Sequence, residues 1–156
     1  MAARELDDLD RAILYALQEN ARKTSTSTIA ERMDVAPSTV RTRLQALEAD
    51  GVLTGYHAEI DYERTGLQLH TLLVCTAPVP EREELAERAQ EVRGVVAVRE
   101  VMTGQENVHI EAIGRDGDDL SRIGRELDEI GLTIEDEDLI RNEYETPYDG
   151  FNVASE

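Results

Sequence analysis

The chain has 156 residues, with 34 Asp+Glu against 16 Lys+Arg, a formal charge of −18, and 40% hydrophobic but only 4% aromatic side chains. That length suits one domain or two small ones, and the core must be built from Leu, Ile, Val and Ala. No apolar run reaches the roughly 18 residues of a membrane span, the acidic start MAARELDDLDR has no apolar signal-peptide segment, and a single cysteine, Cys75, excludes an internal disulfide framework.

The first element is a helix, LDDLDRAILYALQENAR. Leu6, Leu9, Ile13 and Leu17 recur at helical spacing. Asp7, Asp8 and Asp10 load its first turn, where carboxylates complement the helix dipole. The cluster TSTST then offers N-caps for a short second helix, TIAERM. Asp34-Val35-Ala36 forms a tight turn, Pro37 suits the first position of a third helix, and Gly51 closes that helix near Asp50. A short helix, a three-residue turn and a longer helix make a helix-turn-helix. The following GVLTGYHAEID predicts a short strand pair or an extended segment, a wing-like element.

The third helix stands out by its charge. On it, Val40, Leu44 and Leu47 share an inward face, so Ser38, Thr42 and Gln45 point outward with Thr39 and Arg41 on the flanks. In so acidic a chain, a merely solvated face would carry Asp and Glu. This one carries none, and short polar side chains with an arginine suit entry into a DNA major groove. Arg22, Lys23 and Arg43 are further candidates for phosphate contacts. Arg43 lies nearer the core face, where a structural ion pair is the competing role.

After a polar connector, DYERTGLQ, the pattern changes to LHTLLVCTA (strand), PVPEREELAERAQEVRG (helix), VVAVREVMTG and ENVHIEAIG (strands), DGDDLSRIGRELDEIG (helix) and LTIEDEDLIRNEYE (strand). The order βαββαβ predicts a ferredoxin-like sheet with both helices on one face. Leu85, Ala89 and Val92 face inward on the first helix, and Leu120, Ile123, Leu127 and Ile130 on the second. In VVAVREV, Val96 and Val98 alternate with Val95, Ala97 and Val101. Both sides of that strand are thus apolar, and an exposed apolar sheet face implies a partner. The expected class is α+β: residues 1–60 a (winged) helix-turn-helix domain, 61–68 a connector, 69–143 a ferredoxin-like effector-binding and oligomerisation domain, and 144–156 a tail. The tail, with two of the five tyrosines and the only Phe, is either frayed or an arm on a neighbouring subunit.

The segments LDDLDRAILYALQENAR, TIAERMDVAPSTVRTRLQALEADGVLTGYHAEID and VMTGQENVHIEA together resemble the Lrp/AsnC (leucine-responsive, feast/famine) family of regulators, over about residues 5–141. The resemblance implies a sequence-specific DNA-binding transcription regulator, not an enzyme. Its implied partners are double-stranded DNA, a small-molecule effector (an amino acid or related metabolite) and a second copy of the chain in a homodimer. The family further joins dimers into octamers. Family members place the effector near a Gly-x-x-Asp turn at contacts between dimers, which maps to Thr103, Gly104, Gln105, Glu106 and Asn107. Asn107 replaces the family's acid and offers only a neutral carbonyl to an α-ammonium group. Glu106, Glu135 or Glu137 would then have to supply the charge. The family also usually has Ser where Ala36 stands, and Ala costs about 1 kcal/mol at an N-cap.

Haem-pathway decarboxylases resemble the same two-domain architecture and use histidines in the sheet domain, which makes a non-DNA-binding, small-molecule-binding or enzymatic protein the alternative. No basic or aromatic porphyrin cluster supports it. His57, His70 and His109 are scattered, and none stands at metal-ligand spacing with Cys or another His. No metal, cofactor or catalytic residue is therefore expected. His109 alternates with Val108 and Ile110 and faces the dimer or effector interface.

Two properties belong to the chain as a whole. All basic residues but Lys23 are Arg, and the acids are spread over the helix faces. That texture resembles the surfaces of proteins from halophilic archaea, whose carboxylates hold water and cations. The charge is also uneven: residues 1–60 hold 7 basic and 10 acidic side chains, and residues 61–156 hold 9 and 24. Together these points place an acidic regulator in the cytoplasm.

Overall fold

The computed structural model describes residues 2–155 and divides the chain into two compact units. The first comprises the residues up to Ala58 together with those from Tyr144 onward, and the second runs from Glu59 to Glu143.

In the first unit, helix α1 spans Asp8–Asn20, α2 Thr26–Met33 and α3 Pro37–Ala49. α1 starts in a reciprocal cap: the Asp7 carboxylate accepts from the Asp10 amide at 2.9 Å, and the Asp10 carboxylate accepts from the Asp7 amide. The Ser25 hydroxyl caps α2 by accepting from the Thr28 amide at 3.1 Å. α2 ends in a left-handed residue, Asp34, with φ 52°. α3 has Pro37 in its first turn but no side-chain cap from Ala36. Leu9, Ile13, Leu14, Ile29, Ala30, Val40 and Leu47 form a buried core, with Leu44, Val52 and Leu53 packed against it.

Two expectations change here. Residues 54–61 are exposed and without regular structure, and no strand pairing forms among them, so the strand-pair version of the wing is not seen. The tail is neither frayed nor reaching away. It makes two 3-10 turns, Asp149–Phe151 and Val153–Ser155, and packs with the first unit. Phe151 lies against that unit's core, edge-on to Tyr148 at 4.9 Å, and the Tyr148 amide donates to Gln18 Oε1. Phe151 supplies aromatic area to a core otherwise made of aliphatics.

The second unit is a four-stranded antiparallel sheet of order β2-β3-β1-β4, with β1 Leu69–Thr76, β2 Val95–Glu100, β3 Val108–Gly114 and β4 Thr133–Leu139. Helices α4 (Arg82–Gln90) and α5 (Gly117–Glu129) follow β1 and β3, giving the βαββαβ order expected. Leu73, Cys75, Val108, Ile110 and Ala112 meet Leu85, Ala89, Ile123 and Leu127 in one buried cluster. The connection after α4 turns at Gly94, φ 102°, where an added Cβ would lie 2.7 Å from Ile123 Cδ1, so only glycine fits.

The simple alternation expected for β2 does not hold. A bulge between Val95 and Ala97 shifts its register, so Val95 pairs with Ala112 and Val98 with Ile110. Both then pack on the helix-side core, while Val96 is left 47% exposed. The open face is consequently not a continuous apolar surface. Residues opposite one another on neighbouring strands share a face, so His109, Glu111, Ala97, Arg99, His70, Leu72, Val74, Asp136 and Asp138 all lie on it.

Candidate DNA-binding face and effector hairpin

α3 presents its two rows as expected. Val40 and Leu47 are fully buried, and Leu44 packs beside them. Ser38, Thr39, Arg41, Thr42 and Gln45 are all exposed. The Thr42 hydroxyl donates back to the Ser38 carbonyl at 3.0 Å, which fixes its rotamer and leaves its oxygen lone pairs outward.

The seven basic residues of the N-terminal part sort cleanly by partner. Arg11 pairs with Asp8, and Arg4 with Asp10 and Asp50. Arg43 reaches Asp10 at 3.1 Å and also Asp7. Among the described residues, Arg22, Lys23, Arg32 and Arg41 have no ion pair, and all four are exposed. Of the candidate phosphate contacts, Arg22 and Lys23 are therefore available. Arg43 is instead ion-paired to α1, which is the structural one of its two expected roles.

The reason is the Asp10 carboxylate, which is 1% exposed. A buried carboxylate must be paired and hydrogen-bonded, and Asp10 takes Arg43 from α3, Arg4 and the Asp7 amide. Asp7 is held below the ordinary carboxylate value of 3.8 first by the Asp10 amide and then by Arg43. Sequence inspection missed this network, since Asp10 reads there as one more first-turn acid. It also missed Arg32, an exposed cation in the last turn of α2. Its position on the helix before the turn was a usable signal.

The hairpin between β2 and β3 contains the effector candidates. Thr103, Gly104, Gln105 and Glu106 are exposed. Gly104 has open space above it, since an added Cβ would meet nothing within 4 Å. Glu106 sits in the left-handed region at φ 50°, held by its amide donating to the Thr76 hydroxyl at 2.8 Å and by its carbonyl 2.8 Å from His109 Nε2. His109 is thus satisfied by the backbone.

Asn107 departs from its expected role. It is fully buried, accepts from the Ala77 amide at 2.8 Å and donates to the Ala77 carbonyl at 2.9 Å. Each end of its amide makes one of these bonds, and together they clamp the end of β1 to the hairpin. Glu135 and Glu137 are exposed on β4. Glu135 lies in a bulge beside Cys75, near the hairpin end of the sheet, whereas Glu137 pairs with Leu73 further along the strand. The structure therefore brings Glu106 and Glu135 to one end and leaves Glu137 apart.

A second charged group lies on the open face. The Glu111 carboxylate is 2.7 Å from Arg99 Nη1 and 3.3 Å from His70 Nε2. Burial pushes its pKa up, but the hydrogen bonds from Arg99 and His70 and their charges outweigh burial and hold it below 4.5. The Cys75 thiol is pushed up to about 12 by burial and by the charge of Glu135, so it is no nucleophile.

A helix-turn-helix with an acid-free outer face, in one chain with a ferredoxin-like unit, is the build of a DNA-binding regulator. A family model described as winged helix-turn-helix DNA-binding matches residues 6–54. The chain is 32% identical over 122 residues to the HTH-type transcriptional regulator AldR of Mycolicibacterium smegmatis, covering 77% of this chain and 71% of AldR. It is 34% identical over 121 residues to the HTH-type transcriptional regulator LrpA of Pyrococcus horikoshii, covering 76% and 82%. The solved feast or famine regulatory protein from M. tuberculosis, complexed with L-methionine, matches with a TM-score of 0.77 over 91% of this chain and 96% of that one, at 24% identity. The chain belongs to the Lrp/AsnC family of helix-turn-helix transcriptional regulators. Among the described residues, no helix is long and apolar enough to cross a membrane.

Proposed function

We propose that this protein is a sequence-specific, DNA-binding transcription regulator that works as a homodimer and not as an enzyme. The observation that carries the reading is the outer face of α3. Ser38, Thr39, Arg41, Thr42 and Gln45 are exposed without an acid among them, in a chain of charge −18. Phosphate binding needs such a surface, because each carboxylate at the contact would repel the duplex. Arg41 with Arg22, Lys23 and Arg32 supplies phosphate contacts. The hydroxyls and Gln45 read base edges in the major groove.

The two reading heads come from two copies joined through the open sheet face, where Leu72, Val74 and Ala97 provide apolar contact. The effector is a small metabolite, an amino acid among the candidates, at the hairpin of Thr103 to Glu106. The regulator from M. tuberculosis complexed with L-methionine supports that class. With Asn107 spent on Ala77, an α-ammonium group would be paired by Glu106 or Glu135. Assembly of dimers into octamers and residence in the cytoplasm belong to the same reading. So does adaptation to high salt, on which the acidic, almost lysine-free surface bears.

Mobility shift on the DNA upstream of the protein's own gene tests the proposal. Arg41→Ala with Thr42→Ala leaves the core untouched and should weaken binding by at least tenfold, since each lost base or phosphate contact is worth about 1–3 kcal/mol. A folded double variant that binds as tightly as the parent would sink the assignment of this face.

A further inference from the structure

His70, Glu111 and Glu143 come from three separate stretches of sequence, yet one side-chain donor atom from each lies within 4.8 Å of the other two. The fold makes this meeting. His70 on β1 and Glu111 on β3 occupy the same face of paired strands. The Ile140 amide donates to the His70 carbonyl at 2.7 Å, which carries the chain after β4 back beside β1 and delivers Glu143.

The geometry has the dimensions of a metal site. His70 Nε2 and Glu111 Oε2 are 3.3 Å apart. A tetrahedral ion with bonds of about 2.05 Å has ligand-to-ligand edges of about 3.3 Å. The Glu111 carboxylate is already oriented for ligation, because Arg99 holds its Oε1 at 2.7 Å and leaves Oε2 on the side of His70. That is how an outer partner orients a ligating carboxylate. The Tyr62 ring packs edge-on against His70 at 5.8 Å. Glu143 is exposed and can close the remaining distance by a side-chain rotation. The two carboxylates outnumber Arg99, so with a neutral imidazole the group has a charge of −1 for a cation to meet. One imidazole nitrogen with two carboxylates selects a borderline transition ion over calcium or magnesium, which prefer oxygen alone.

We infer that His70, Glu111 and Glu143 form a binding site for one divalent transition-metal ion, Zn2+ foremost, on the open face of the sheet. Three protein donors leave a fourth position for water or for a donor of a second copy.

Metal-stripped full-length protein titrated with ZnCl2 by calorimetry, and with CoCl2 by visible absorption, tests the site. The expected result is one ion per chain, with Co2+ giving the intense visible bands of a tetrahedral nitrogen and oxygen set. His70→Ala and Glu143→Gln should each weaken Zn2+ binding at least tenfold. Glu143→Gln changes an exposed side chain, so its fold is not at risk. Asp138→Asn, on the same face but outside the triad, should bind as the parent does. Absence of Zn2+ binding overturns the proposal. So does equal binding by His70→Ala, or a loss in Asp138→Asn as large as in Glu143→Gln, since either means diffuse attraction to an acidic surface.

Discussion

Arg41 and Arg43 stand two residues apart on α3 and do opposite work. Arg41 is exposed with no ion pair among the described residues, while Arg43 is half-buried on Asp10 and Asp7. Their alanine variants should therefore separate. Arg43→Ala leaves the buried Asp10 carboxylate with Arg4 as its one remaining cation, so unfolding should become easier by about 1–3 kcal/mol. Arg41→Ala should move stability by less than about 0.5 kcal/mol. Denaturant melts of both variants check this, and equal stabilities would refute the division of labour. Residue type alone could not have made it, since both are Arg: helical position set Arg43 nearer the core face, and the place of Asp10 in the packed unit supplied its partner. Asn107 carries the same lesson, since its role as a two-bond clamp on Ala77 depends on where the end of β1 lies in space.

At the scale of elements, α3 and α5 are started differently. α3 has no side-chain cap at Ala36, although Ala36 has the extended backbone that a capping residue adopts. Ala36→Ser should stabilise the first unit by about 1 kcal/mol, read as a raised midpoint in denaturant with an unchanged slope. α5 is firmly capped: the Asp116 carboxylate accepts from the Asp119 amide at 2.8 Å. Asp119 is in turn bonded to the Arg115 amide and to Arg122, which lower its carboxyl from 3.8 to about 2. A depressed carboxylate contributes its stability above the ordinary value and loses it as pH falls through the depressed one. The parent should therefore lose stability between about pH 4 and pH 2, and Asp119→Asn should lose less over that window in acid melts followed by circular dichroism. An unchanged acid limb in the variant would count against the Arg115 and Arg122 contacts. The elements were largely legible in the sequence, because apolar periodicity and caps are local. The β2 bulge was not, since it arises from pairing with β3.

At the scale of the molecule, the charge of −18 has to be carried by a chain with few aromatics to enlarge its core. Self-repulsion of that size is screened by salt: the Debye length falls from about 10 Å at 0.1 M to about 3 Å at 1 M. Thermal unfolding should therefore shift upward by at least about 4 °C between 0.1 and 2 M KCl. A flat or falling midpoint in differential scanning fluorimetry would remove the case for a salt-adapted surface. The same screening bears on the proposed DNA contact, where only acids at the contact itself would matter in high salt.

The sequence by itself determined the helix-turn-helix, the βαββαβ order, the family and the acid-free row on α3, because each is written in local periodicity, composition or a contiguous motif. Tertiary structure alone decided which arginines are spent, that Asn107 is a clamp, that the tail joins the first unit, and that His70, Glu111 and Glu143 meet. These depend on residues distant in the chain, and their encounter is set by strand register and packing.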